Sequence, residues 1–84
     1  MLIVGDRIYE VHDGAIIRVH TILKTTKHNA MSDKGVVFRT ETTDGGKRAR
    51  LFRETSFSLT MYFLPTPKWD DLLTKTILKE DESI

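Results

Sequence analysis

Three histidines, four serines and a scatter of carboxylates are the side chains here with chemistry to offer. A zinc ion would take two of His12, His20 and His28 with a carboxylate such as Glu10 or Asp13. Nothing in their spacing makes them converge: Asp13 belongs to a turn, and His20 falls on the polar face of a β-type run. A surface or hairpin-end role follows for all three. Ser32, Ser56, Ser58 and Ser83 show neither a nucleophile elbow nor a base at fixed distance. Asp44-Gly45-Gly46-Lys47 lacks the spacing and strand-to-helix setting of a phosphate loop. Asp70 and Asp71 are neighbours on a helix and diverge by about 100°. There is no cysteine, which removes thiolate chemistry, disulfides and sulfur-ligated zinc. The expectation is a protein without catalytic, metal or cofactor residues, and not an enzyme.

Binding is the better prospect. In Lys47-Arg48-Ala49-Arg50-Leu51-Phe52-Arg53, alternation turns Ala49 and Leu51 inward and Arg48, Arg50 and Phe52 outward. By the same period Arg39, Arg18 and Lys24 also point out. Arginines beside an aromatic ring make the footprint of a nucleic-acid surface, with phosphates on Arg and bases stacked on Phe52 or Tyr62. The plainer reading pairs these arginines across strands with Glu10, Glu41 and Glu54, or simply solvates them. Lys27 and His28 lie in the polar stretch 26–35, TKHNAMSDKG, which reads as an open loop. The candidate binding residues are therefore Arg18, Lys27, His28, Arg39, Lys47, Arg48, Arg50 and Phe52.

Five strands must position them. Asp6–His12 and Ala15–Thr25 flank Asp13-Gly14, a two-residue hairpin turn whose central positions favour positive φ. In the second run Ala15, Ile17, Val19, Thr21 and Leu23 share the apolar face, against Arg18, His20 and Lys24. Val36–Thr43 and Lys47–Arg53 flank Asp44-Gly45-Gly46. Ser56–Leu64 alternates Phe57, Leu59, Met61 and Phe63 against Ser56, Ser58, Thr60 and Tyr62. Pro65 stops that strand. Thr66 then caps a helix from Pro67 to about Glu80, with acids in its first turn and a stripe of Trp69, Leu72, Leu73, Thr76 and Ile77.

The 84 residues make one domain, a barrel over about 4–64 and a helix over about 67–80, with a thin core for which self-association is a common remedy. Residues 1–53 hold ten Lys or Arg against six acids, whereas residues 54–84 hold three against six, a basic body beside an acidic tail. Neither a signal peptide nor a membrane span is evident, so a cytoplasmic protein, bacterial or made by a virus in its host, is expected.

Gly5-Asp6-Arg7-Ile8-Tyr9-Glu10-Val11, a tight Asp13-Gly14 turn, a long second strand and then a loop resemble the Src-homology-3-like barrels, in their Tudor- and KOW-type forms from small phage and bacterial proteins. That resemblance spans about residues 4–64 and leaves out the Trp69 helix. It implies a mainly β, five-stranded antiparallel small barrel with a C-terminal amphipathic helix, serving as a binding module. The leading expectation is a regulatory or inhibitory module docking on a protein partner through 26–35 and the outer face of the third and fourth strands. Alternatives are a nucleic-acid-binding barrel using the basic strand, and a nucleotide or small-ligand site at an oligomer interface.

Overall fold

In the computed structural model, residues 1–53 and 59–82 are described, with side chains through Lys75. The first hairpin forms as its turn chemistry dictates. Asp13 (φ 51°) and Gly14 (φ 77°) both take positive φ between β1 (Arg7–His12) and β2 (Ala15–Thr25). Pairing starts at His12↔Ala15 and Val11↔Ile16, then jumps to Glu10↔Arg18, Tyr9↔Val19 and Ile8↔His20. Ile17 is the extra residue of a β-bulge.

That one residue reverses the expected face of β2. Directly opposed residues share a face, so Ile8 in the core brings His20 with it instead of Val19. His20 and Ile22 are fully buried, while Ile17 and Leu23 are 51% and 61% exposed. Leu23 faces outward by alternation from Ile22, and the pairing of β2 with β3 has a second irregularity between Ile22 and Lys24.

The polar stretch 26–35 is not simply a loop. Thr26 N–H donates to the Asn29 carbonyl at 2.8 Å, closing a turn from which β3 (Asn29–Ser32) pairs back onto β2. Ala30 and Ser32 face the interior. Six strands therefore replace the expected five, and the later ones are short: β4 (Val37–Arg39), β5 (Arg48–Ala49) and β6 (Thr60–Phe63). Asp44, Gly45 and Gly46 take three successive positive φ values in the expected turn, which Thr43 and Arg48 close with mutual backbone hydrogen bonds of 2.9 and 3.1 Å. The antiparallel order is β4-β3-β2-β1-β6-β5, a curled half-barrel. Its two edges meet at a Phe38↔Leu51 bridge, where Arg39 N–H donates to Arg50 O (2.8 Å) and Phe52 N–H to Val37 O (3.0 Å).

The core comprises Leu2, Ile8, Ile22, Ala30, Phe38 and Ala49, with Val36, Leu51, Tyr62 and Leu64 packed against it. Leu2 enters from the chain start, held by its N–H to Thr40 O at 2.7 Å. On β6 it is Tyr62 that turns inward, packing edge-on to Phe38 and His20 with centroids 5.0 and 6.1 Å away. Leu59 and Met61 are exposed, and Phe63 points to the outer face, contrary to the expected alternation. The expected core position of Phe57 lies outside the described residues.

Helix α1 (Pro67–Glu82) covers that outer face. Thr66 caps it: its Oγ1 accepts from Trp69 N–H and its carbonyl from Asp70 N–H. Trp69 stacks on Phe63 at 4.7 Å, with the Arg48 guanidinium 5.7 Å from Phe63 and the Lys68 ammonium 5.3 Å from Trp69. Tyr9 donates its hydroxyl proton to Asp70. Tyr9, bonded to the helix through Asp70, and Val11 are buried on one side while Ile8 and Glu10 are buried on the other, so β1 is enclosed on both faces. Leu72 and Leu73 are half-buried, whereas the stripe positions Thr76 and Ile77 lie beyond the described side chains. Among the described residues no helix is long and apolar enough to cross a membrane.

Candidate binding cleft

Around the bridge between the sheet's edges, alternation brings a mixed surface together. Phe38 and Leu51 point inward as a pair, which places Val37 opposite Phe52 and Arg39 opposite Arg50 on the outside. Two cavities open here and share Phe52 as a wall. One, of about 350 Å³, is mainly apolar and is lined by Asn29, Val36, Val37, Leu51, Phe52 and Arg53. The other, of about 240 Å³, is polar and is lined by His28, Arg39, Thr40, Glu41 and Phe52. Thr40 fixes the junction, because its hydroxyl donates to Lys27 O at 3.0 Å and its N–H to His28 O at 3.1 Å. Asn29 Oδ1 is buried there without a hydrogen-bond partner.

The eight residues singled out from sequence divide accordingly. His28, Arg39 and Phe52 line the cleft, Arg50 stands opposite Arg39, and exposed Lys27 adjoins His28. Arg48 points outward as expected, but it is half-buried over Phe63 with its Nε enclosed and unpartnered. Lys47 lies exposed at the end of the turn before β5. Arg18 is not on the outer face: the bulge turns it onto the side of Glu10, with which it pairs at 2.9 Å. Asn29 falls in the expected 26–35 surface and Val37 on the expected outer face of the third strand, whereas Val36, Leu51 and Arg53 were not anticipated as cleft walls. The alternation of Val37 and Arg39 about Phe38 was the available signal, but which strand lay beside it was not.

Compared with protein-family models, curated proteins and solved structures, the chain gives no significant match.

A second cluster lies inside the half-barrel, where sequence reading had put only surface histidines and serines without a base. His20 Nε2 is 2.8 Å from Glu10 Oε1, and His20 Nδ1 is 3.0 Å from Ser32 Oγ. Ser32 Oγ also accepts the backbone N–H groups of Lys34 and Val36, both at 3.2 Å. Its own proton is then left for His20 Nδ1, so Nε2 carries the ring proton and donates to Glu10. Arg18 closes the outer end with bonds to both Glu10 oxygens. The residue types are those of a hydrolytic triad, yet Ser32 is 6% exposed and its oxygen is already engaged by two amides. The arrangement works as a strap joining β1, β2 and the 32–36 turn.

Neighbouring groups register the same enclosure. Burial, and then the Glu10 charge, push the Tyr62 hydroxyl above its usual range. Burial and the bond to Asp70 do the same for Tyr9. Asp33 is held below the usual carboxylate range, chiefly by the Thr21 N–H it accepts at 3.0 Å. Among the described residues no group of three or more His, Asp or Glu is placed to hold a metal ion.

Proposed function

We propose that this chain is a small non-enzymatic binding module, in the manner of a Src-homology-3-like barrel, that docks on a protein partner through the Phe52 cleft. The supporting observation is the pairing of an apolar cavity with a polar, arginine-bearing one across a single aromatic wall. A protein surface offers neighbouring apolar and charged side chains, and concave sites with few polar groups fix their orientation. The strap of Glu10, His20 and Ser32 supports the scaffold and takes no part in binding.

The test is a photo-crosslinking amino acid placed at Arg53, on the cleft wall, and in a control at Asp13, in the β1–β2 hairpin turn outside the cleft lining. Discrete protein adducts from position 53 and none from position 13 are expected. Equal labelling from both positions, or adducts to nucleic acid alone, overturn the reading.

Nucleic acid is the second reading, supported by Arg39 and Arg50 standing opposite each other. It has fewer contacts to draw on than the sequence implied, because Arg18 is engaged with Glu10 and Arg48 is folded over Phe63. A shallow salt dependence follows, since the slope counts the phosphates neutralised.

A further inference from the structure

We infer that the chain pairs with a second copy of itself along the open edge of β2, from Ala15 to His20. This surface is separate from the Phe52 cleft. β3 pairs with β2 only from Ile22 onward, and no other described strand lies on that side. Thr21 marks the limit: its N–H donates to Asp33 Oδ1 (3.0 Å) and its carbonyl accepts from Asp33 N–H (2.9 Å). Before Thr21 the edge is bare. Ile22 N–H donates to Asp6 O, so by alternation the backbone groups of His20 and Arg18 also point toward β1. Those of Val19 point away from β1, and so do those of Ile16, which lies opposite Val11 beyond the bulge. Among the described residues no strand meets them. An edge of this kind is a template for another strand.

The bulge selects the occupant. Ile17 sets the two outward-facing residues three apart, where a regular strand repeats every two. A second copy carries the same spacing. Run antiparallel, with each Ile16 opposite the other copy's Val19, both pairs form together. Ile16 and Val19 share the face of Val11 and Tyr9 and are half-buried, so four β-branched side chains meet across the two-fold axis. In the same register Arg18 opposes Ile17, which is 51% exposed, and no like charges face each other. Gly14 falls opposite Thr21 and brings no side chain against Asp33. The end strands β4 and β5 close on each other at the Phe38↔Leu51 bridge. A symmetric contact uses the same edge of both copies, so assembly stops at two.

The experiment is light scattering on the purified full chain from about 10 µM to 1 mM, the range in which a short strand contact is populated. The mass should rise with concentration toward twice the 9.7 kDa of one chain. Ile17→Lys and Ile17→Glu, at an exposed position, then read the register. Lysine faces Arg18 of the other copy, twice in a symmetric pair, and should weaken association about tenfold or more. Glutamate faces the same arginine and should not. Thermal melting checks that both variants are folded. In a mixture of differently isotope-labelled chains, NMR contacts between copies should join the methyl groups of Ile16 and Val19. The mass of one chain at the highest concentration overturns the inference. Contacts between copies at other residues, or two variants that associate equally well, also overturn it.

Discussion

Replacing Glu10 with alanine and, separately, with glutamine separates geometry from charge in the buried strap. Glu10 is 4% exposed and His20 is fully enclosed. Alanine leaves the His20 Nε2–H, now 2.8 Å from an acceptor, facing none, and a buried donor without a partner costs about 1–3 kcal/mol. Removing one buried methylene adds about 0.8 kcal/mol. Arg18, with 48% of its side chain exposed, returns to water at little cost. Glu10→Ala should therefore lose about 2–4 kcal/mol, which for a chain this short lowers Tm by roughly 10–25 °C. Glu10→Gln keeps an oxygen at the Oε1 position and gives up only the ionic part of the Arg18 pair, about 1 kcal/mol or less. Thermal and urea melts of the two variants beside the parent decide the matter. If glutamine is as damaging as alanine, charge and not the placed acceptor holds the strap. If alanine is harmless, the cluster is not enclosed as described.

Trp69→Ala should cost about 2–3 kcal/mol, below the range for a fully enclosed tryptophan because the ring is half-buried on Phe63. An unchanged urea midpoint would show that the helix does not dock through it. Gly14→Val at φ 77° should destabilise by about 1–2 kcal/mol, since a β-branched residue resists the left-handed region; equal melting curves would refute the assigned turn. Tyr9 and Tyr62 are raised above the ordinary phenol value of 10.0, so their contribution is complete below that pH and is lost as pH climbs through their folded-state values. A Tm series from neutral into alkaline pH should fall there, and Tyr9→Phe should make the fall shallower; an identical slope counts against the Tyr9–Asp70 bond.

Where local chemistry decides, the chain is readable. Asp13-Gly14 can only be a tight turn, Pro65 and Thr66 set where the helix begins, and the outward side of Arg48, Arg50 and Phe52 follows from alternation. Parity across a bulge is a different kind of fact. A two-residue turn without irregularity pairs Glu10 with Ile17 and Ile8 with Val19, and the apolar face of β2 then looks like the core. Ile17 breaks that count, and the burial of neighbours decides the break, which no window on β2 reveals. The Glu10–His20–Ser32 strap was hidden for the same reason, together with a polar stretch whose strand exists only because β2 templates it. Half of the cleft was visible as Arg39, Phe52 and His28, and its apolar half waited on knowing which strand lies beside β4.

The double enclosure of β1 divides the molecule into two tiers of stability. Amides of a strand covered on both faces and paired on both edges exchange with solvent only when the whole fold opens. The cleft sits at the other extreme, on strands of three and two residues whose edges meet at one bridge. That part can open while β1 stays shut, at a fraction of the global cost. A ligand gripping Val37, Phe52 and Arg39 would close the seam it binds across, so occupancy would slow exchange at the two edges and leave β1 unchanged. If the Phe52 cleft binds a partner as proposed, that binding would also complete the seam, the part of the fold that closes last.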